Sequence, residues 1–114
     1  MSTPEITVVD ADYSFAPQIE PESMREIAAA GYRSVLNARP DGEGGETQPT
    51  SAALGAAAAA QKLDYAYLPV VPSEINDDTV RQFADLVAQL PKPILGFCLS
   101  GKRAARLYQL GRHA

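Results

Sequence analysis

Segments that read as strands and segments that read as helices take turns along this chain, and that alternation limits its fold more than any other feature. Residues 32–38 (YRSVLNA), residues 64–71 (DYAYLPVV) and Ile94–Phe97 (ILGF) are short apolar or branched runs of the kind that form strands. Between them lie helical patterns. Residues 21–30 place acidic side chains in a first turn and stop at Gly31, and residues 51–63 form an alanine-rich helix capped by Thr50 or Ser51. Residues 77–90 follow a possible cap at Asn76 and carry an apolar stripe of Val80, Phe83, Ala84, Val87 and Leu90. Pro91-Lys92-Pro93 ends that helix, and residues 102–110 make a last one with Leu107 and Leu110 expected to face inward. Residues 6–19 supply one or two edge strands, and residues 41–50 form a polar Gly/Pro-rich connection.

Strands separated by helical crossovers predict a single α/β domain with a mostly parallel sheet and helices on both faces. At 114 residues the chain holds material for one such domain, spanning 1–114. In a parallel sheet the carboxyl ends of the strands open on one side, where ligands bind. Arg39-Pro40-Asp41, Pro72-Ser73-Glu74 and the segment from Cys98 onward should therefore meet in one crevice.

Composition removes several functions. The formal charge of −4 argues against a nucleic-acid partner, which is usually met by a basic face. No apolar run is long enough to span a bilayer, and the start (MSTPE) lacks the pattern of a secretion signal, so a cytoplasmic location is expected. The single cysteine, Cys98, excludes an internal disulfide and a thiolate zinc cluster. The single histidine, His113, is next to last and expected to be frayed, which leaves no material for a Ser-His-Asp triad or a multi-histidine metal site. No metal or organic cofactor is implied.

Cys98-Leu99-Ser100-Gly101-Lys102-Arg103 lies between the apolar strand and the last helix. A thiol there meets the unpaired N–H groups of a helix start, which favour its anion. Leu99, Ser100, Gly101 and Lys102 can wrap their amides around one point as an anion nest, with Gly101 supplying the left-handed backbone such a wrap needs. Arg103 offers a planar fork for an oxyanion, Lys102 adds positive potential, and Arg39 is a further candidate for anion contact. A thiolate in such a cradle suits group transfer through a covalent cysteine intermediate on a small anionic substrate. The plainer alternative makes Cys98 a small core residue and the loop a non-catalytic anion-binding module. Tyr65 and Tyr67 share a sheet face and read as core.

Four pieces of the chain resemble one bacterial family. They are Phe15-Ala16-Pro17-Gln18-Ile19, then Val35-Leu36-Asn37-Ala38-Arg39-Pro40-Asp41-Gly42-Glu43, then Tyr67-Leu68-Pro69-Val70, then Cys98 to Arg103. Together they are similar to the phosphatase-like domain of beta-lactamase-hydrolase-like proteins, some members of which are labelled sulfur transferases. The resemblance implies a fold like that of the cysteine-dependent tyrosine and dual-specificity phosphatases, a thiolate nucleophile at Cys98 and an oxyanion-holding arginine at Arg103.

Some departures from those phosphatases stand out. Four residues separate Cys98 from Arg103 where phosphatases have five. Phe97 replaces a usual histidine, and Ala104 follows the arginine where a hydroxyl is common. No Asp follows Val70-Val71 to act as general acid, although Asp41 or Glu74 could substitute. The short loop resembles that of rhodanese-type sulfurtransferases, whose persulfide passes to a thiophilic acceptor without an acid for an alkoxide. The expected activity is therefore sulfur transfer through a Cys98 persulfide, with phosphomonoester hydrolysis through a phosphocysteine as the alternative.

Overall fold

The structure, a computed structural model, describes residues 5–112. His113 and the first four residues lie outside that range. Five strands form one sheet in the order β1-β2-β5-β3-β4: β1 (Thr7–Val8), β2 (Tyr13–Ala16), β3 (Ser34–Asn37), β4 (Asp64–Tyr67) and β5 (Ile94–Phe97). Only β1 runs antiparallel to its neighbour. The helices are α1 (Met24–Ala29), preceded by a 3₁₀ turn at Pro21–Ser23, then α2 (Ser51–Ala60), α3 (Asp77–Gln89) and α4 (Lys102–Arg112).

The sheet is covered on both faces, as the mostly parallel arrangement requires. β5 shows how: Ile94 and Cys98 pack under α3 and α4 with Phe83, Ala104 and Leu107, while Leu95 and Phe97 pack under α1 and α2 with Met24, Ile27 and Leu54. Gly96 lies on the α3/α4 face because Tyr13 fills the space above it, where any Cβ would run into the phenol. Tyr13 donates to Ala104 O at 2.9 Å and stacks on Tyr108 with ring centroids 4.0 Å apart. The centre of the sheet is thereby tied to α4.

Side chains set the helix starts. Thr50 accepts from Ala53 N, and Asn76 and Thr79 accept reciprocally from each other's backbone N–H in a capping box. Several boundaries differ from expectation. β4 stops at Tyr67 instead of running to residue 71, because Pro69 has no N–H for the ladder. α2 stops at Ala60; Gln61 and Lys62 turn the chain, with Lys62 at φ 61°, so that Leu63 is buried on the return. β2 is an interior strand, since β1 pairs beyond it and takes the edge. Leu110 is 37% exposed rather than inward.

Register places the site. Ala16 pairs with Phe97, Phe97 with Asn37 and Asn37 with Tyr67, so four parallel strands end level with one another. The residues that follow each end, Gln18, Cys98, Arg39 and Val70, emerge along a single rim.

Candidate active site

Cys98 is the first residue after β5, and its fractional exposure is 1%. Cys98 nevertheless belongs to the lining of a surface depression of about 480 Å³, together with Pro72, Ile75, Leu99, Ser100, Lys102, Arg103 and Arg106. The Gly101 N–H donates to Cys98 Sγ at 3.1 Å, and Lys102 N donates to Ser100 Oγ at 3.3 Å, which tightens the loop over the start of α4. Gln18 N donates to Leu99 O and pins the loop to the end of β2. Gly101 has φ +93°, and a Cβ there would lie 2.9 Å from Phe15 Cδ1 and 3.2 Å from the Ala16 carbonyl. Glycine is demanded both by the backbone angle and by the space.

Arg103 is almost wholly enclosed, its side chain 7% exposed. Nη1 donates to Val70 O at 3.1 Å and to Ala38 O at 3.4 Å, and Nη2 donates to Glu43 Oε1 at 3.1 Å. Those bonds fasten the guanidinium to the ends of two strands. Nε is buried and has no hydrogen-bond partner. A buried N–H of a permanent cation without an acceptor is costly to keep.

Glu43 is the residue that sequence reasoning gave no role. One carboxylate oxygen accepts from both Arg103 Nη2 and Arg39 Nε, the latter at 2.9 Å, while Arg39 Nη1 donates to Gln18 Oε1 at 2.9 Å. Burial raises the Glu43 carboxyl, but the hydrogen bonds and charges of Arg103 and Arg39 outweigh it and hold the group below its ordinary range. The available signal was the spacing of Arg39 and Glu43, four residues apart in a glycine-rich turn. Arg106, three residues after Arg103 on α4, is a second unforeseen residue, and it lines the depression.

The structure brings Cys98, Leu99, Ser100, Lys102 and Arg103 to one depression, with the Gly101 N–H turned to the sulfur. Arg39, Asp41 and Glu74 are not among its lining residues. Arg39 is committed to Glu43 and Gln18. Asp41 Oδ1 accepts from Ser51 N at 2.8 Å at the start of α2, and Asp41 N donates to the Tyr67 hydroxyl. Glu74 is exposed in a 3₁₀ turn after β4. Tyr67, expected in the core, is 36% exposed beside the Asp41 turn, and Tyr65 is half-buried with its hydroxyl joined to Asn37 and Ser51. Among the described residues no His/Cys/Asp/Glu cluster could hold a metal, and no helix is long and apolar enough to cross a membrane.

A protein from Agrobacterium fabrum (strain C58), named beta-lactamase hydrolase-like protein, is 38% identical over 85 residues, 75% of this chain and 20% of its own length. A protein of the same name from Xylella fastidiosa (strain Temecula1) is 36% identical over 105 residues, 90% of this chain and 24% of its own. The chain thus spans a fifth to a quarter of the length of these curated relatives. Among solved structures, a phosphatase-like protein of Neisseria meningitidis superposes with a TM-score of 0.86 at 27% identity, covering 94% of this chain and 75% of that one. The core catalytic domain of the PP-IP phosphatase SIW14 from S. cerevisiae superposes with a TM-score of 0.74 at 17% identity, covering 98% and 67%, which extends the likeness of fold alone. Residues 5–114 match the family described as beta-lactamase hydrolase-like protein, phosphatase-like domain, and the chain belongs to that family.

Proposed function

We propose that this chain is a cysteine-dependent phosphatase-like hydrolase acting on small anionic phosphate compounds. The observation that carries the reading is that Cys98 and a fixed Arg103, whose buried Nε has no partner, line the same depression. In the reaction the Cys98 thiolate attacks phosphorus, the ester P–O bond breaks with its electron pair leaving on the alcohol oxygen, which takes its proton from solvent, and a phosphocysteine forms. Water then attacks phosphorus, the S–P bond breaks, the thiolate returns and inorganic phosphate leaves, the proton of the water passing to solvent. The Gly101 N–H supports the thiolate, Arg103 supports charge on the phosphoryl oxygens, and Glu43 acts as a positioning residue for Arg103. A thiol that must stay reduced to act suits the cytoplasm.

The expectation of sulfur transfer ranks second. Its supports are the loop of four residues between Cys98 and Arg103 and the lack of an Asp after Val71 to act as general acid, whereas the family and the similar folds favour phosphate chemistry. The two readings part in a paired assay: release of 4-nitrophenolate from 4-nitrophenyl phosphate, and release of thiocyanate from thiosulfate plus cyanide. We expect the first with wild type and its loss in Cys98→Ser. Thiocyanate formation without aryl phosphate turnover would reverse the order, and neither activity would leave the non-catalytic module.

A further inference from the structure

We infer that the depression takes a phosphoanhydride, with the terminal phosphoryl group of a diphosphate over Cys98 and the adjoining phosphate held by Lys102 and Arg106. The inference rests on the phosphatase reading and narrows its substrate. The lining includes three cationic side chains, Lys102, Arg103 and Arg106, and no Asp or Glu. Lys102 and Arg106 are exposed and have no ion pair among the described residues, in a chain whose net charge is −4. Spacings of three and four residues put Arg106 on the same side of α4 as Arg103 and Lys102, one turn beyond the loop. A single phosphoryl group engaged by Arg103 would leave both outer cations and most of the 480 Å³ unused.

The lining also has no carboxyl to serve as general acid, since Asp41 is engaged with Ser51 N and neither it nor Glu74 reaches the lining. An alkyl phosphomonoester expels a strongly basic alkoxide and needs a proton from a placed acid. A diphosphate does not. When Cys98 Sγ bonds to the terminal phosphorus, the bond to the bridging oxygen breaks and its electron pair departs on the second phosphate, a weakly basic anion that leaves unprotonated. Lys102 and Arg106 stand where that negative charge grows, so they stabilise the departing group in place of an acid. Water then cleaves the phosphocysteine as described.

Methyl diphosphate and methyl phosphate isolate the effect because they share one organic group, and 4-nitrophenyl phosphate reports the underlying chemistry. We expect kcat/KM for methyl diphosphate to exceed that for methyl phosphate by about a hundredfold. Arg106→Gln should raise KM for methyl diphosphate by about tenfold and raise it by less for 4-nitrophenyl phosphate. Equal turnover of the two methyl compounds, or an equal rise in both KM values, would overturn the inference while leaving the phosphatase reading intact. Absence of Cys98-dependent 4-nitrophenyl phosphate turnover would overturn both.

Discussion

Glu43→Gln removes one negative charge from between two guanidiniums whose side chains are 7% and 8% exposed, while leaving the shape of the side chain nearly unchanged. Glutamine can still accept one hydrogen bond through its amide oxygen, but its NH₂ group has no use for a second guanidinium. A hydrogen bond to a charged group contributes about 1.5–3 kcal/mol, and removing one partner of a buried pair costs 3–5 kcal/mol or so. Glu43 itself is 25% exposed, so water screens part of that loss. About 2 kcal/mol at neutral pH is the reasoned figure, or a fall in Tm of roughly 8–15 °C for a chain this size. The pH dependence supplies a sharper test. The folded protein holds the Glu43 carboxyl below its ordinary value of 4.5, so its ionised form favours the fold. That contribution is fully present above the ordinary value and is lost as pH falls through the lowered one. Urea unfolding of wild type and Glu43→Gln should therefore show the full gap at about pH 7 and a shrinking gap below about pH 4, since the variant has no proton to take up there. kcat should fall with the variant as well, because Arg103 loses one of the groups that aim it. A stability gap under about 0.5 kcal/mol at neutral pH, or one that stays constant through the acid range, would refute the role given to this carboxylate.

Gly101→Ala should lower stability by about 1–3 kcal/mol, read as a fall in urea midpoint, and slow 4-nitrophenyl phosphate turnover, because the added Cβ meets Phe15 and forces the amide off the Cys98 sulfur; an unchanged midpoint with full activity would count against the loop geometry. Tyr108 should ionise late: burial, followed by its 2.7 Å hydrogen bond to Asp10, pushes the phenol to about 12. Its contribution to stability is present below pH 10 and is lost as pH rises through that raised value. Ultraviolet titration should find the shift reduced in Asp10→Asn, and no reduction would mean that burial alone sets it.

The sequence made the architecture legible because the architecture repeats a local rule. Four of the five strands and all four helices answer to periodicity and capping, which act over a few residues, and the rim of the sheet then places Cys98, Lys102 and Arg103 together. What escaped was set across the sheet. β2 read as an edge because strand order depends on which crossover passes which face, and no local signal carries that. Tyr67 read as core because alternation shows that it shares a face with Tyr65 but not that the sheet ends beside it. Arg39 read as a candidate anion contact, and Asp41 as a turn residue that could also serve as an acid, because their side-chain types suit those tasks. Their partners, Glu43 with Gln18 and Ser51, reach them only after folding and engage both residues outside the depression. The ranking of sulfur above phosphate leaned on loop length, and the family gives the phosphate alternative the better support. Loop length limits how many amides face the sulfur, but the charge presented to a substrate comes from beyond the loop, from a guanidinium anchored on the ends of β3 and β4 and from Arg106 a turn further along α4. A persulfide sulfur carries less charge than a phosphoryl group, so under the proposed phosphate chemistry the cations outside the loop would matter more than the number of residues within it.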